Sequence, residues 1–190
     1  MKNKGILLAL ACILIGFIYR IMPFHPHNFT PIAAIALVGG LYFNRKVLAF
    51  LVPIVALVAS DLILNNTINR GFFSQETGLI LWADYMYWTY GAFILTVVLG
   101  MYLVKRNAVS KILIGGLGSS FLFFFLSNVG SWITMPIYTK DFSGLASCFV
   151  AAIPFFQNTL LGNMVFAGIF IGSIEYFRSR KPSSTIQAAV

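Results

Sequence analysis

The chain has 190 residues, of which 59% are hydrophobic and 9% charged, against about 25% charged in soluble domains, so its composition excludes an ordinary soluble fold. Its mean hydropathy is +0.87, and the apolar residues come in long runs broken by short polar clusters. Such runs suit helices sized for the roughly 30 Å hydrocarbon layer and not the alternating strands of a membrane barrel. The net charge of +8 sits at the ends of these runs, as orientation signals do, which argues against nucleic acid as its partner.

Lys2 and Lys4 precede a first predicted crossing, from about Gly5 to Met22, stopped by Pro23 and the His25-Pro26-His27-Asn28 loop. Arg20-Ile21-Met22-Pro23-Phe24 stands where a small-x-small cleavage site would be needed, so this run reads as a retained helix and not a signal peptide. Thr30-Pro31 opens a second segment, since Thr caps and Pro suits the first helical position. Pro31 to Phe43 spans roughly 20 Å as a helix, short for a crossing: it is tilted, embedded in the bundle, or extended by the loop before it. Arg45-Lys46 leads to a third segment, Val47 to Leu64, with Pro53 inside it, as membrane helices tolerate.

Asn65 to Leu81 is polar and reads as a loop with room for a short interfacial helix. The fourth crossing is predicted from Trp82 to Val104, the fifth from Ile112 to about Thr134, and the last from about Ala151 to Tyr176. The fold expected is all-α: one polytopic six-helix transmembrane domain over residues 1–180, with a mobile cytoplasmic tail over 181–190.

Positive residues favour the cytoplasmic side of a membrane. With both ends inside, the inner regions hold Lys2, Lys4, Arg45, Lys46, Lys105, Arg106, Lys111, Arg178, Arg180 and Lys181, while the outer regions hold Arg20, Arg70 and Lys140. Removing the short second segment from the membrane would invert every later loop and spoil that partition. The expectation is therefore a multi-pass protein of the bacterial inner membrane, in contact with the lipid bilayer.

Polar groups in lipid are costly unless they pair or line a cavity. In this topology Asn28, Asp61, Asp84, Trp88, Asn128, Trp132 and Asn158 all fall at the outer ends of helices or in adjoining loops, with His25, His27, Asn65, Tyr87 and Gln157 nearby. Together they predict an outward-facing pocket with hydrogen-bonding and aromatic walls. For the Trp residues the alternative is an interfacial aromatic belt, and for Asn158 it is helix packing. His25-x-His27 lacks a defined third ligand, so no metal is predicted, and no cofactor is either. Cys12 and Cys148 read as buried small hydrophobes.

Gly5, Ala9, Cys12 and Gly16 recur at intervals of four, three and four on the first helix, a stripe where another helix can approach closely. The stripe serves either packing within the chain or docking of another subunit. The sequence has no Gly-x-Ser-x-Gly elbow, His-Glu-x-x-His motif or Walker loop, so an enzyme is not expected.

Three segments carry a family likeness: His27-Asn28-Phe29-Thr30-Pro31 with the residues to Leu37, Ala59-Ser60-Asp61-Leu62, and Ala152-Ile153-Pro154-Phe155-Phe156-Gln157-Asn158 with the residues to Asn163. From about Arg20 to Gly172 the chain resembles an uncharacterised bacterial family of six-helix membrane proteins, itself similar to the substrate-binding S components of energy-coupling factor vitamin transporters. The resemblance implies a small-molecule nutrient captured from outside. It also implies docking on a transmembrane coupling subunit driven by two cytoplasmic ATPases, and roles for Asn28, Asp61 and Asn158 in the site. One departure is that alanines spaced by three residues mark the docking helix of many S components, whereas here Gly5 is followed by Ala9. The rival reading is a structural or accessory subunit of a larger membrane complex.

Overall fold

A computed structural model describes residues 2–24, 26–73 and 77–180; His25, Glu76 and the predicted tail 181–190 lie outside the described residues. Six α-helices make up the fold, with no strand among the described residues: α1 (Lys2–Ile21), α2 (Ile32–Tyr42), α3 (Lys46–Asn66), α4 (Tyr85–Leu103), α5 (Ala108–Thr134) and α6 (Phe142–Ser179). A short 3-10 turn, Arg70–Phe73, falls in the segment read as a loop. Helices α3 to α6 are each long and apolar enough to cross a membrane, and α1 adds a shorter apolar stretch, Leu7–Ile21.

Sequence and structure part at three boundaries. α4 begins at Tyr85, leaving Trp82 in the irregular segment before it and not in the helix. α5 begins four residues earlier than expected, because Asn107 caps it: its side chain accepts from the Ser110 N–H at 2.8 Å. α6 begins at Phe142, where Asp141 takes the same role toward the Gly144 N–H at 2.8 Å. Pro154 thereby lies inside a 38-residue helix and not near its start.

The second segment is embedded. Every residue of α2 from Ile32 to Leu41 is buried, so it forms the axis of the molecule with the other helices around it. Such burial suits a helix apolar on all faces. Close approach to α4 depends on Gly40 and Gly100, where a Cβ would stand 2.1 Å from the Val97 carbonyl oxygen and 2.6 Å from that of Leu37. At 11 residues α2 is about 16 Å long, half of what a full crossing needs. Its N-terminus therefore stops midway along the bundle, and the space beyond it is left for a cavity.

Polarity is arranged as lipid requires. Large apolar side chains such as Leu7, Leu14, Phe121, Val150 and Leu161 are exposed, while Ser60, Asp61, Asn65, Lys111, Ser120 and Asn163 are buried. In water this arrangement would waste apolar burial and strand polar groups. In hydrocarbon it lets polar groups pair with one another away from the tails.

Candidate functional site

Asp61 sits near the C-terminal end of α3, 1% exposed, and forms an ion pair with Arg20 at the end of α1. The Arg20 Nε–H also donates to Ser60 Oγ at 2.8 Å, and the Tyr90 hydroxyl on α4 donates to Asp61 Oδ2 at 2.8 Å. A carboxylate in a low-dielectric interior is tolerable only when paired and hydrogen-bonded, and its two partners, Arg20 and Tyr90, meet that condition. One turn further along α3, Asn65 accepts from the Tyr85 hydroxyl at 3.0 Å. This network holds α1, α3 and α4 together at one end of the bundle.

Beside it lies a cavity of about 250 Å³ between α4, α5 and α6. Its walls are Tyr85 and Thr89 from α4, Phe123, Phe124, Ser127, Asn128 and Ser131 from α5, and Phe155, Phe156 and Thr159 from α6. Asn28 belongs to both this cavity and a smaller chamber of about 30 Å³ below it, which Arg20, Thr30, Ala33 and Asn163 line. The two voids share Asn28, Phe123 and Thr159.

The backbone before α2 is shaped to reach this place. Phe29 N–H donates to the Pro26 carbonyl at 3.1 Å, closing a turn whose third residue, Asn28, has φ +65°. That left-handed position is one that Gly or Asn fills at least cost. The turn lies against α6 at Gly162, where a Cβ would come 3.2 Å from Phe29 Cα. Two of the sequence segments singled out above thus meet: the chain after His27 and the stretch ending at Asn163.

Of the predicted site residues, Asn28 and Asn128 line the cavity. Asp61 does not; it is bonded to Arg20, and Arg20 faces the small chamber. Asp84 is exposed and lines a separate hollow of about 680 Å³ with Phe72, Trp82 and Met135. Trp88 packs on Gly130, where a Cβ would come 2.3 Å from its ring, and Trp132 donates its indole N–H to the Thr139 carbonyl at 2.8 Å. Neither indole lines the cavity. Asn158 is half-buried beside it, and the adjacent Thr159 takes its place in the wall.

On α1, Ala9 and Cys12 are buried, and a Cβ on Gly16 would meet Ile32, Ile35 and Ala56. Those three positions are covered by this chain's own α2 and α3 and leave no open face for another subunit. Gly5 is within α1, but its surroundings lie outside the described residues. Among the described residues no three His, Cys, Asp or Glu side chains gather as a metal site needs.

Sequence reasoning passed over Tyr85, Thr89, Ser127, Ser131 and the four Phe residues of the wall. A signal was present, since Phe124, Ser127, Asn128 and Ser131 recur at helical spacing on one face of α5. It also missed a second polar cluster at the opposite end of the bundle. There Glu175 on α6 accepts from Lys111 Nζ on α5 at 2.6 Å and from the Tyr42 hydroxyl on α2 at 2.6 Å. The Arg178 guanidinium lies 4.4 Å from the centroid of the Tyr42 ring.

An apolar exterior, polar groups kept inside and four helices of spanning length define a helical membrane protein with a cavity among its helices. The chain belongs to a family of unknown function, DUF6580, whose model matches residues 1–185. No curated protein and no solved structure matches it.

Proposed function

We propose that this protein is the solute-binding subunit of an ATP-driven micronutrient uptake system in the bacterial inner membrane, crossing it six times with both ends in the cytoplasm. The cavity of about 250 Å³ carries the reading: three helices and one turn bring amide, hydroxyl and aromatic groups around a void, as small-molecule sites are built. The partition of Lys and Arg supports the orientation and opens the cavity end outward. The likeness to S components agrees with a binding subunit that performs no chemistry and relies on a coupling subunit and two ATPases for energy. Since Ala9, Cys12 and Gly16 are covered, such a coupling subunit docks elsewhere than on that stripe.

The test is purification in lipid nanodiscs, mass spectrometry of any solute carried along, and thermal melting against a panel of vitamins. A solute at a hundredfold excess over its Kd stabilises the folded state by about 2.7 kcal/mol. Loss of that shift in Asn28→Ala and Asn128→Ala is expected. If no solute co-purifies or shifts the melt, and the chain is found in fixed stoichiometry within a non-transport complex, it is an accessory subunit instead.

A further inference from the structure

The hydrogen bonds already made in the cavity wall constrain what it can hold. The Ser127 hydroxyl donates to the Phe123 carbonyl at 2.6 Å, that of Thr159 to the Phe155 carbonyl at 3.2 Å, and that of Tyr85 to Asn65 at 3.0 Å. A hydroxyl has one proton, so each of these oxygens has only lone pairs left to offer a guest. Asn128 spends one N–H on the Phe124 carbonyl at 2.6 Å and keeps its other N–H and its carbonyl oxygen.

Among the described residues of the same wall none carries a carboxylate, ammonium or guanidinium. Arg20 and Asp61 are paired with each other, and Arg20 opens onto the lower chamber, whose 30 Å³ or so accommodates about one water. An ionic guest would therefore lose its hydration without gaining a counter-charge. Phe124 and Phe156, with ring centroids 4.7 Å apart and an interplanar angle of 51°, supply flat apolar surface on facing helices. By comparison with a ~150 Å³ cavity that binds benzene, 250 Å³ holds about ten non-hydrogen atoms, one substituted ring.

We propose that the cavity takes an uncharged, planar, single-ring molecule bearing hydrogen-bond donors, of which a primary carboxamide is the best match because Asn128 presents its complement. This rests on the solute-binding reading above and adds the chemical class. The experiment uses the full chain in nanodiscs, with empty nanodiscs subtracted, and four probes of nearly equal size at up to millimolar concentration: benzamide, methyl benzoate, benzoate and benzylammonium. Benzamide is expected to bind at least tenfold more tightly than each of the others.

Thr159→Val, which removes a lone-pair oxygen at nearly constant shape, should weaken benzamide several-fold and leave methyl benzoate unchanged; Ser127→Ala is the second variant should the first fold poorly. Tighter binding of benzoate or benzylammonium overturns the assignment of class while leaving a solute site in place. Equal binding of amide and ester, or unchanged benzamide binding in both variants, overturns the donor requirement. If all four probes fail while a larger solute from the vitamin panel binds, the single-ring assignment is wrong; if nothing binds at all, the carrier reading falls with it.

Discussion

Asp61 shows how a residue's role depends on a partner distant in sequence. Read alone, a carboxylate ending an apolar run is a candidate anchor for a solute, and Asp61→Asn would weaken uptake while sparing the fold. With Arg20 bonded to it and Tyr90 donating to its second oxygen, the same substitution strands a largely buried cation. Breaking a buried pair costs about 3–5 kcal/mol, whereas replacing both partners with apolar residues is often near neutral. Asp61→Asn should therefore lower the yield of folded protein and its melting temperature, and the double variant Arg20→Met with Asp61→Leu should recover much of both, as read by gel-filtration profile and thermal melt. Arg20 was counted as a loop charge; its place at the end of an apolar helix, 41 residues before Asp61, gave no register by which to pair them.

Asp141 lies in the exposed α5–α6 connection. The Gly144 N–H and then the Thr139 hydroxyl favour its ionised form and hold its pKa below the usual carboxylate value. A lowered folded pKa means that the cap contributes fully above the unfolded value, about 3.9, and its contribution fades as pH falls through the lowered one. Asp141→Ala should thus melt below the parent protein at neutral pH, with the gap closing in acid. A gap independent of pH would show that the carboxylate charge has no part in capping α6.

At the scale of elements, the long helices were legible because a run of apolar residues spaced by charges leaves little else for the chain to do. The cap-extended starts of α5 and α6 were not, since Ala108 to Lys111 and Phe142 to Phe149 mix polar and apolar residues and take helical form from Asn107 and Asp141. The burial of α2 was equally hidden: a helix apolar on every face reads alike whether lipid or protein surrounds it. Glycines held the missing information. Gly40→Ala would set a methyl against the backbone of α4, an overpacking that costs about 1–3 kcal/mol or more. Gly168→Ala, on α6 with open space around it, should cost nothing measurable. Equal melting temperatures for the two variants would argue against this crossing. By the same logic Ala9→Leu, on the buried face of α1, should disturb the bundle itself.

For the molecule as a whole, an exterior of large apolar side chains with the polar groups kept inside makes a prediction that a water-soluble bundle would not share. Phe121 is exposed on α5, so Phe121→Arg would be indifferent in water. In a membrane a central arginine costs about 2.5–3.5 kcal/mol, and the variant should leave the membrane fraction or be degraded. The cavity was partly legible: Asn28 and Asn128 were identified as polar groups at helix ends, while Ser127, Ser131 and Thr159 were not, because a hydroxyl within an apolar helix commonly bonds its own backbone. Two of the three do so here, and that same habit shapes what the cavity can bind.

Enclosure of α2 by helices that follow it in the chain has a consequence for biogenesis. The ribosome delivers α2 second, yet the walls that flank it on α4, α5 and α6 are synthesised only later. Until α4 is made the nascent chain must shelter a half-length segment whose Gly40 notch has nothing to clasp. A chain released before α4 would leave that notch partly bare, and such truncation products should be conspicuous targets for membrane-quality-control proteases.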